Sequence, residues 1–101
     1  MRTADDLVLL LREMTGSNEV YFQPPESVKM TYPAIRFKLS RVDRDFANNK
    51  AYRRMNAYEV TLIDEDADSA WFDKILQLPY CRFDRPYVAD NLHHFAFTLY
   101  Y

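Results

Sequence analysis

The sequence predicts a single α+β domain: a mostly antiparallel sheet of about five strands, two helices on one face, and a long β-hairpin protruding from the sheet. Three observations predict it. The chain has 101 residues, enough for one small core and too few for two. Apolar residues recur at helical spacing near the start and again after residue 69, and alternate with polar ones in most of the remainder. Two alternating runs flank a polar, basic segment, the pattern of a hairpin whose tip leaves the sheet. No linker or low-complexity segment intervenes, so residues 1–101 are read as one domain.

The elements follow in order. Thr3 reads as an N-cap, with Asp6 completing a weak capping box and Asp5 and Asp6 suiting the positive end of the helix dipole. Leu7, Val8, Leu10, Leu11 and Met14 share one face of a helix over Ala4–Thr15, which Gly16 ends. Val20–Gln23 reads as a short strand stopped by Pro24-Pro25. Ala34–Ser40 alternates Ile35, Phe37 and Leu39 against Arg36 and Lys38, a strand with one wet side. Ala57–Ile63 alternates Tyr58, Val60 and Leu62 against Glu59 and Thr61. Between these runs lies the polar arm Arg41–Asn56, with a turn signal at Asn48-Asn49. Ser69–Gln77 reads as a second helix with Asp66, Asp68 or Ser69 as cap, the pairs Trp71/Ile75 and Phe72/Leu76 on its buried side, and Pro79 barring continuation. Tyr80–Phe83 reads as a short strand and Asp84–Asn91 as a polar, turn-rich segment. The last strand sets Phe95, Phe97, Leu99 and Tyr101 against His94, Ala96, Thr98 and Tyr100; aromatics running to the last residue predict a well-covered position.

Composition excludes several function classes. The net charge of −2 gives no global attraction to nucleic acid or anionic membrane. One glycine, Gly16, argues against glycine-cradled phosphate sites and nucleophile elbows. One cysteine, Cys81, excludes an internal disulfide and suggests a reducing compartment; it reads as a half-buried strand residue. No apolar run approaches membrane-spanning length and no signal-peptide pattern is evident, which predicts a protein that stays soluble in the cell that makes it, with no membrane partner.

Catalytic and metal-binding readings fare poorly. Asp64-x-Asp66-x-Asp68 resembles the start of a calcium loop, but Ser69 replaces the required glycine and Ile75 the required glutamate, so a helix-capping cluster fits better. His93 and His94 are adjacent on a strand and face opposite sides, so they cannot share an ion. No carboxylate set converges as metal-dependent nucleases need. The expectation is a non-enzyme with no catalytic residue, metal or cofactor.

The arm is the polar feature above background. Arg41, Arg44, Lys50, Arg53 and Arg54 interleave with Phe46, Tyr52 and Met55. Nucleic-acid binding is one reading, with DNA passing nearby. Asp43 and Asp45 interrupt the arm, however, and the eight Tyr and seven Phe exceed what a small core needs. Both favour contact with another protein chain.

Several segments together resemble a family of small proteins of long-tailed bacteriophages described as tail completion, tail terminator or minor tail proteins. They are Val20 to Met30, Tyr32-Pro33-Ala34-Ile35, Phe46-Ala47-Asn48-Asn49-Lys50-x-Tyr52, Tyr58 to Asp64, Asp66-x-Asp68-Ser69, Phe83-Asp84-Arg85 and Tyr87 to His94. The resemblance spans about Val20 to Tyr101. It implies a fold of the lambda tail-terminator kind and a homohexameric ring in the virion. That ring sits at the head-proximal end of the tail, ends tube polymerisation and joins the tail to the head connector. The implied partners are the chain itself, the tail-tube protein and the head-completion or stopper protein, with DNA passing through the lumen. Within that picture Arg41–Asn56 is expected on one side of a ring interface, and Asp84, Arg85, Tyr87 and Asp90 on the other or supporting it. A head-side adaptor or stopper, or a small nucleic-acid-binding protein, are the alternatives.

Overall fold

The computed structural model describes residues 4–25, 29–47 and 50–101, the side chains of 43–47 and 50–55 excepted. The Thr3 cap and the Asn48-Asn49 turn lie outside the described residues. The order is α1 (Ala4–Thr15), β1 (Val20–Phe22), β2 (Ala34–Ala47), β3 (Lys50–Asp64), α2 (Phe72–Leu76), β4 (Cys81–Ala89) and β5 (Leu92–Tyr100). The strands form one mixed sheet in the order β1-β2-β3-β5-β4. β1 runs parallel to β2, and the other three pairings are antiparallel.

α1 has the bounds its periodicity predicts. Leu7 and Leu11 are fully buried, and Val8, Leu10 and Met14 pack around them. Gly16 takes φ +72 while its N–H closes on the Arg12 carbonyl at 2.8 Å, a left-handed cap that a Cβ would strain. α2 is shorter than predicted. The acidic residues before it do not cap it; they form successive side-chain turns. The Asp66 N–H donates to Asp64 Oδ1 (3.1 Å), the Asp68 N–H to Asp66 Oδ1 (3.0 Å), and the Trp71 N–H to Ser69 Oγ (3.3 Å). These turns satisfy the backbone before the helix begins, so Ser69 to Trp71 stay outside it. Ile75 is buried as expected, whereas Leu76 is exposed, because five residues give one buried stripe and Leu76 falls beside it.

Both helices lie on one face. Leu7, Leu11 and Ile75 join Ile35, Phe37, Tyr58, Val60, Leu62, Phe95, Phe97 and Leu99 in a single core. Each such buried side chain contributes about 1.5–3 kcal/mol. Phe72 supplies the wedge under α2, with ring centroids 5.0 Å from Phe83, 5.4 Å from Phe95 and 5.5 Å from Phe97. β5 has β3 on one side and β4 on the other, the covered position its aromatic alternation predicts.

Two segments depart from the sequence reading. β4 runs on through Asp84–Ala89, where a turn-rich segment is expected, and the turn is only Asp90-Asn91. Both turn residues have positive φ (54 and 62), as a tight two-residue hairpin needs and as Asp and Asn tolerate. Pro86 is compatible with the strand because β4 is an edge, so no outer ladder bond is lost. Likewise β2 and β3 extend well past the predicted Ser40 and Ala57, pairing as far as Ala47↔Lys50 with register shifts between Leu39 and Arg41 and between Asp45 and Phe46. β1 pairs with β2 only over Val20–Phe22, and β5 leaves β3 at Ala57↔Tyr100. Beyond Arg41↔Ala57 the hairpin is therefore a two-stranded ribbon. Its projection accounts for the long axis of 51 Å against 24 and 23 Å.

Candidate protein-interaction surface

The sheet face opposite the helices is polar, and the strand registers set its residues in rows. One row reads Tyr21, Arg36, Thr61, Ala96, Arg85; the next reads Lys38, Glu59, Thr98, Arg82; Arg41, Ala57 and Tyr100 close the face at the base of the ribbon. Thr61 and Ala96 are buried between the larger side chains around them. At the other end Pro24, Met30 and Tyr32 line a shallow pocket together with Ile63, Leu92 and His94.

Two bulges decide which charges reach this face. The β2–β3 register shifts between Leu39 and Arg41, and the β4–β5 register between Phe83 and Arg85. In an unbroken strand Arg41 would follow Leu39, and Arg85 would follow Phe83, onto the helix-covered side. The extra residues Ser40 and Asp84 reverse that parity and turn both arginines to the open face. Arg41 donates to the Tyr100 hydroxyl and lies 5.6 Å from the centre of its ring. Arg85 lies 5.2 Å from the centre of Tyr87, whose ring stacks on His94 at 4.8 Å and 20°. His94 Nδ1–H donates to the Leu92 carbonyl at 3.1 Å, which fixes the ring under Tyr87. Asp84 uses its bulged position to accept from Thr98 Oγ1 (2.6 Å) and from Arg82 Nε–H (3.0 Å).

A groove of about 470 Å³ runs over this face between Gln23 and Pro24 on one side and Tyr87 on the other, floored by Arg36, Lys38, Glu59 and Thr61. At its β1 side the Tyr21 hydroxyl donates to Glu19, and that bond, with burial second, raises the phenol above its usual pKa. Lys38 and Glu59 pair at 3.7 Å, both well exposed.

The residues singled out in the sequence separate into three places. Arg44, Phe46, Lys50, Tyr52, Arg53 and Arg54 lie on the ribbon, where backbone pairing sets Arg44 opposite Arg54 and Asp45 opposite Arg53; their side chains lie outside the described residues. Arg41, Asp84, Arg85 and Tyr87 are on the open face. Asp90 is in the β4–β5 turn, at the end of the sheet away from the ribbon. The arm and the Asp90 end are thus distinct patches on one chain. Tyr21, Arg36, Lys38, Arg82, His94 and Tyr100 complete the face; the alternation sets Arg36, Lys38, His94 and Tyr100 on the outer faces of their strands, but none of the six was singled out as an interface residue. A signal existed: Arg41 and Arg85 each fall on the apolar parity of an otherwise clean alternation, which calls for a bulge or a strand end.

Among the described residues no three His, Cys, Asp or Glu side chains are grouped to hold a metal. His93 and His94 face opposite sides, as adjacent strand residues must: His93 pairs with Val88 and Asp64, while His94 stacks on Tyr87. Cys81 begins β4, half-buried, and burial with Asp84 nearby pushes its thiol up to about 11. A thiol so protonated at neutral pH is a poor nucleophile. Among the described residues no helix is long and apolar enough to cross a membrane. No protein-family model matches the chain, and a search of curated proteins finds no match.

Proposed function

We propose that this chain is a tail-completion protein of a long-tailed bacteriophage. In this reading it has a lambda tail-terminator-like fold and acts as a subunit of a homohexameric ring at the head-proximal end of the tail. The ring ends tube polymerisation and then presents a surface to the head-completion protein. The single observation that carries the reading is the β2–β3 ribbon. Beyond Arg41↔Ala57 no third strand lies beside it among the described residues, although an isolated two-stranded hairpin is marginal in water. Such an arm is understandable if a neighbouring subunit supports it, and the segment carrying it is among those that resemble the tail-completion family. The placement of the arm and the Asp90 turn at opposite ends suits a heterologous contact, in which one patch meets a different patch on the next copy.

On this account the protein performs no bond chemistry. The ring assembles on the tube end, blocks further tube subunits and so fixes length; genomic DNA passes through its lumen. The test is tail length by negative-stain electron microscopy in a phage with a stop codon in this gene. Overlong, headless tails are expected. Tails of normal length beside full but tailless heads would move the protein to the head side of the joint, as an adaptor or stopper. Normal infectious particles would remove it from the neck altogether.

A further inference from the structure

Charge is segregated along this chain. Residues 34–63 carry seven basic and three acidic side chains, whereas residues 64–73, which follow directly, carry five acidic and no basic ones. The fold separates the two blocks in space. The basic block supplies the ribbon and much of the open face; the acidic block leaves the sheet where Asp64 pairs with His93, at the end away from the ribbon. The open face itself sets Arg36, Lys38, Arg41, Arg82 and Arg85 against Glu59 and Asp84. Glu59 is paired with Lys38, and Asp84 with Arg82 and Thr98. Glu65, Asp66, Asp68 and Asp73 are exposed on the acidic segment, which the successive side-chain turns hold in a defined shape.

We infer that the open face of the sheet, around Arg36, Arg85 and Tyr87, docks the acidic 64–73 segment of a second copy of this chain. Charge complementarity selects that occupant. The face has an excess of guanidinium groups over a floor of small residues, and the one uninterrupted acidic stretch of the sequence lies on a different part of the same subunit. Two unlike, complementary patches on identical chains make a head-to-tail contact, which closes into a ring or runs on as a filament. The inference rests on the ring reading for its biological place and names the surfaces that would meet. A protein whose net charge is −2 presents a basic face because its acidic groups are gathered elsewhere, and that arrangement favours a like chain as partner.

The test is sedimentation velocity on the full purified chain. It is run at about 0.1 M and about 1 M salt, where the screening length is about 10 Å and about 3 Å. Wild type is expected to associate with concentration at the lower salt and at least ~10-fold more weakly at the higher. Arg36→Glu with Arg85→Glu, and separately Glu65→Lys with Asp68→Lys, are each expected to stay monomeric. An equimolar mixture of the two variants should associate with one-to-one stoichiometry, since both unlike contacts are complementary. Thermal melts by circular dichroism check that both variants fold. Two further variants, Arg36→Gln and Glu65→Gln, give a graded loss should a reversal fail to fold. Wild type that remains monomeric up to about 1 mM, variants that associate like wild type, or a mixture that fails to pair would each overturn the inference. So would a monomeric wild type that binds a single-stranded oligonucleotide through Arg36 and Arg85, which would assign the face to nucleic acid. The phage test reads tail length and fails separately: normal tails with intact charge-swap pairing would remove the tail-ending role and leave the docking face standing.

Discussion

The inner and outer halves of the β2–β3 hairpin are one continuous ladder in two different settings. The inner half, Ala34–Leu39 with Tyr58–Asp64, has strands on both flanks and helices over it; Ile35, Val60 and Leu62 are fully buried. The outer half, beyond Arg41↔Ala57, has no strand beside it but its partner among the described residues. The inner half is held by burial of apolar area, whereas ladder hydrogen bonds such as those of the outer half exchange water for protein partners at small net gain. On the proposed reading, stability and association are kept apart in this chain: the body is expected to fold without the ribbon, which a neighbouring subunit would support.

Substitutions in each half would show whether the two settings are as separate as the pairings suggest. The largest effect is in the body. Phe97 is fully buried, its ring centroid 5.3 Å from Phe83 and 5.5 Å from Phe72. Phe97→Ala should lower unfolding stability by about 3–5 kcal/mol in urea titrations. A loss below ~1 kcal/mol would mean that the aromatic wedge is not what holds α2 on the sheet. Next is the bulge: Asp84→Ala removes acceptors for Thr98 and Arg82 at a surface site and should cost about 1 kcal/mol by the same titration.

The third prediction uses Cys81, the only thiol and a reporter on the body alone. Its pKa is raised to about 11 from the usual 9.0, so the folded state keeps a proton that the unfolded chain releases in between. The stabilisation is full below pH 9 and is lost as pH rises towards 11, so the advantage of wild type over Cys81→Ser should shrink between pH 8 and pH 10.5. An advantage that grows over that range would contradict the burial of the thiol. The smallest effect should come from the ribbon. Replacing residues 43–55 by Asn-Gly joins Val42 to Asn56 by a tight turn, and should shift body stability by less than ~1 kcal/mol while abolishing assembly. A large loss of stability would show that the two halves are one cooperative unit.

The parts of the fold that rest on local periodicity were legible in the sequence. The bounds of α1, the alternation of β5 and the existence of the hairpin all follow from apolar spacing, because there the face that is buried is also the face that the pattern marks. What stayed hidden depends on neighbours. β4 beyond Phe83 reads as a turn, since Asp84-Arg85-Pro86 is turn chemistry; its edge position and its bulge make the same residues a strand. The parallel docking of β1 on β2 leaves no local mark, and the segment between residues 41 and 56 shows no apolar alternation in the sequence although its backbone pairs as a ladder. The open face was partly legible through Arg41, Arg85 and Tyr87, named for their chemistry. Tyr21, Arg36 and Tyr100 join it only through registers that pair residues far apart in the chain.

On the proposed reading the ribbon serves assembly at the end of a phage tail. Tail length tests it most directly, in the stop-codon phage supplied in trans with either the full chain or the chain whose residues 43–55 are replaced by Asn-Gly. The account predicts tails of normal length with the full chain and overlong, headless tails with the shortened one, although both proteins fold. Tails of normal length with the shortened chain would contradict it.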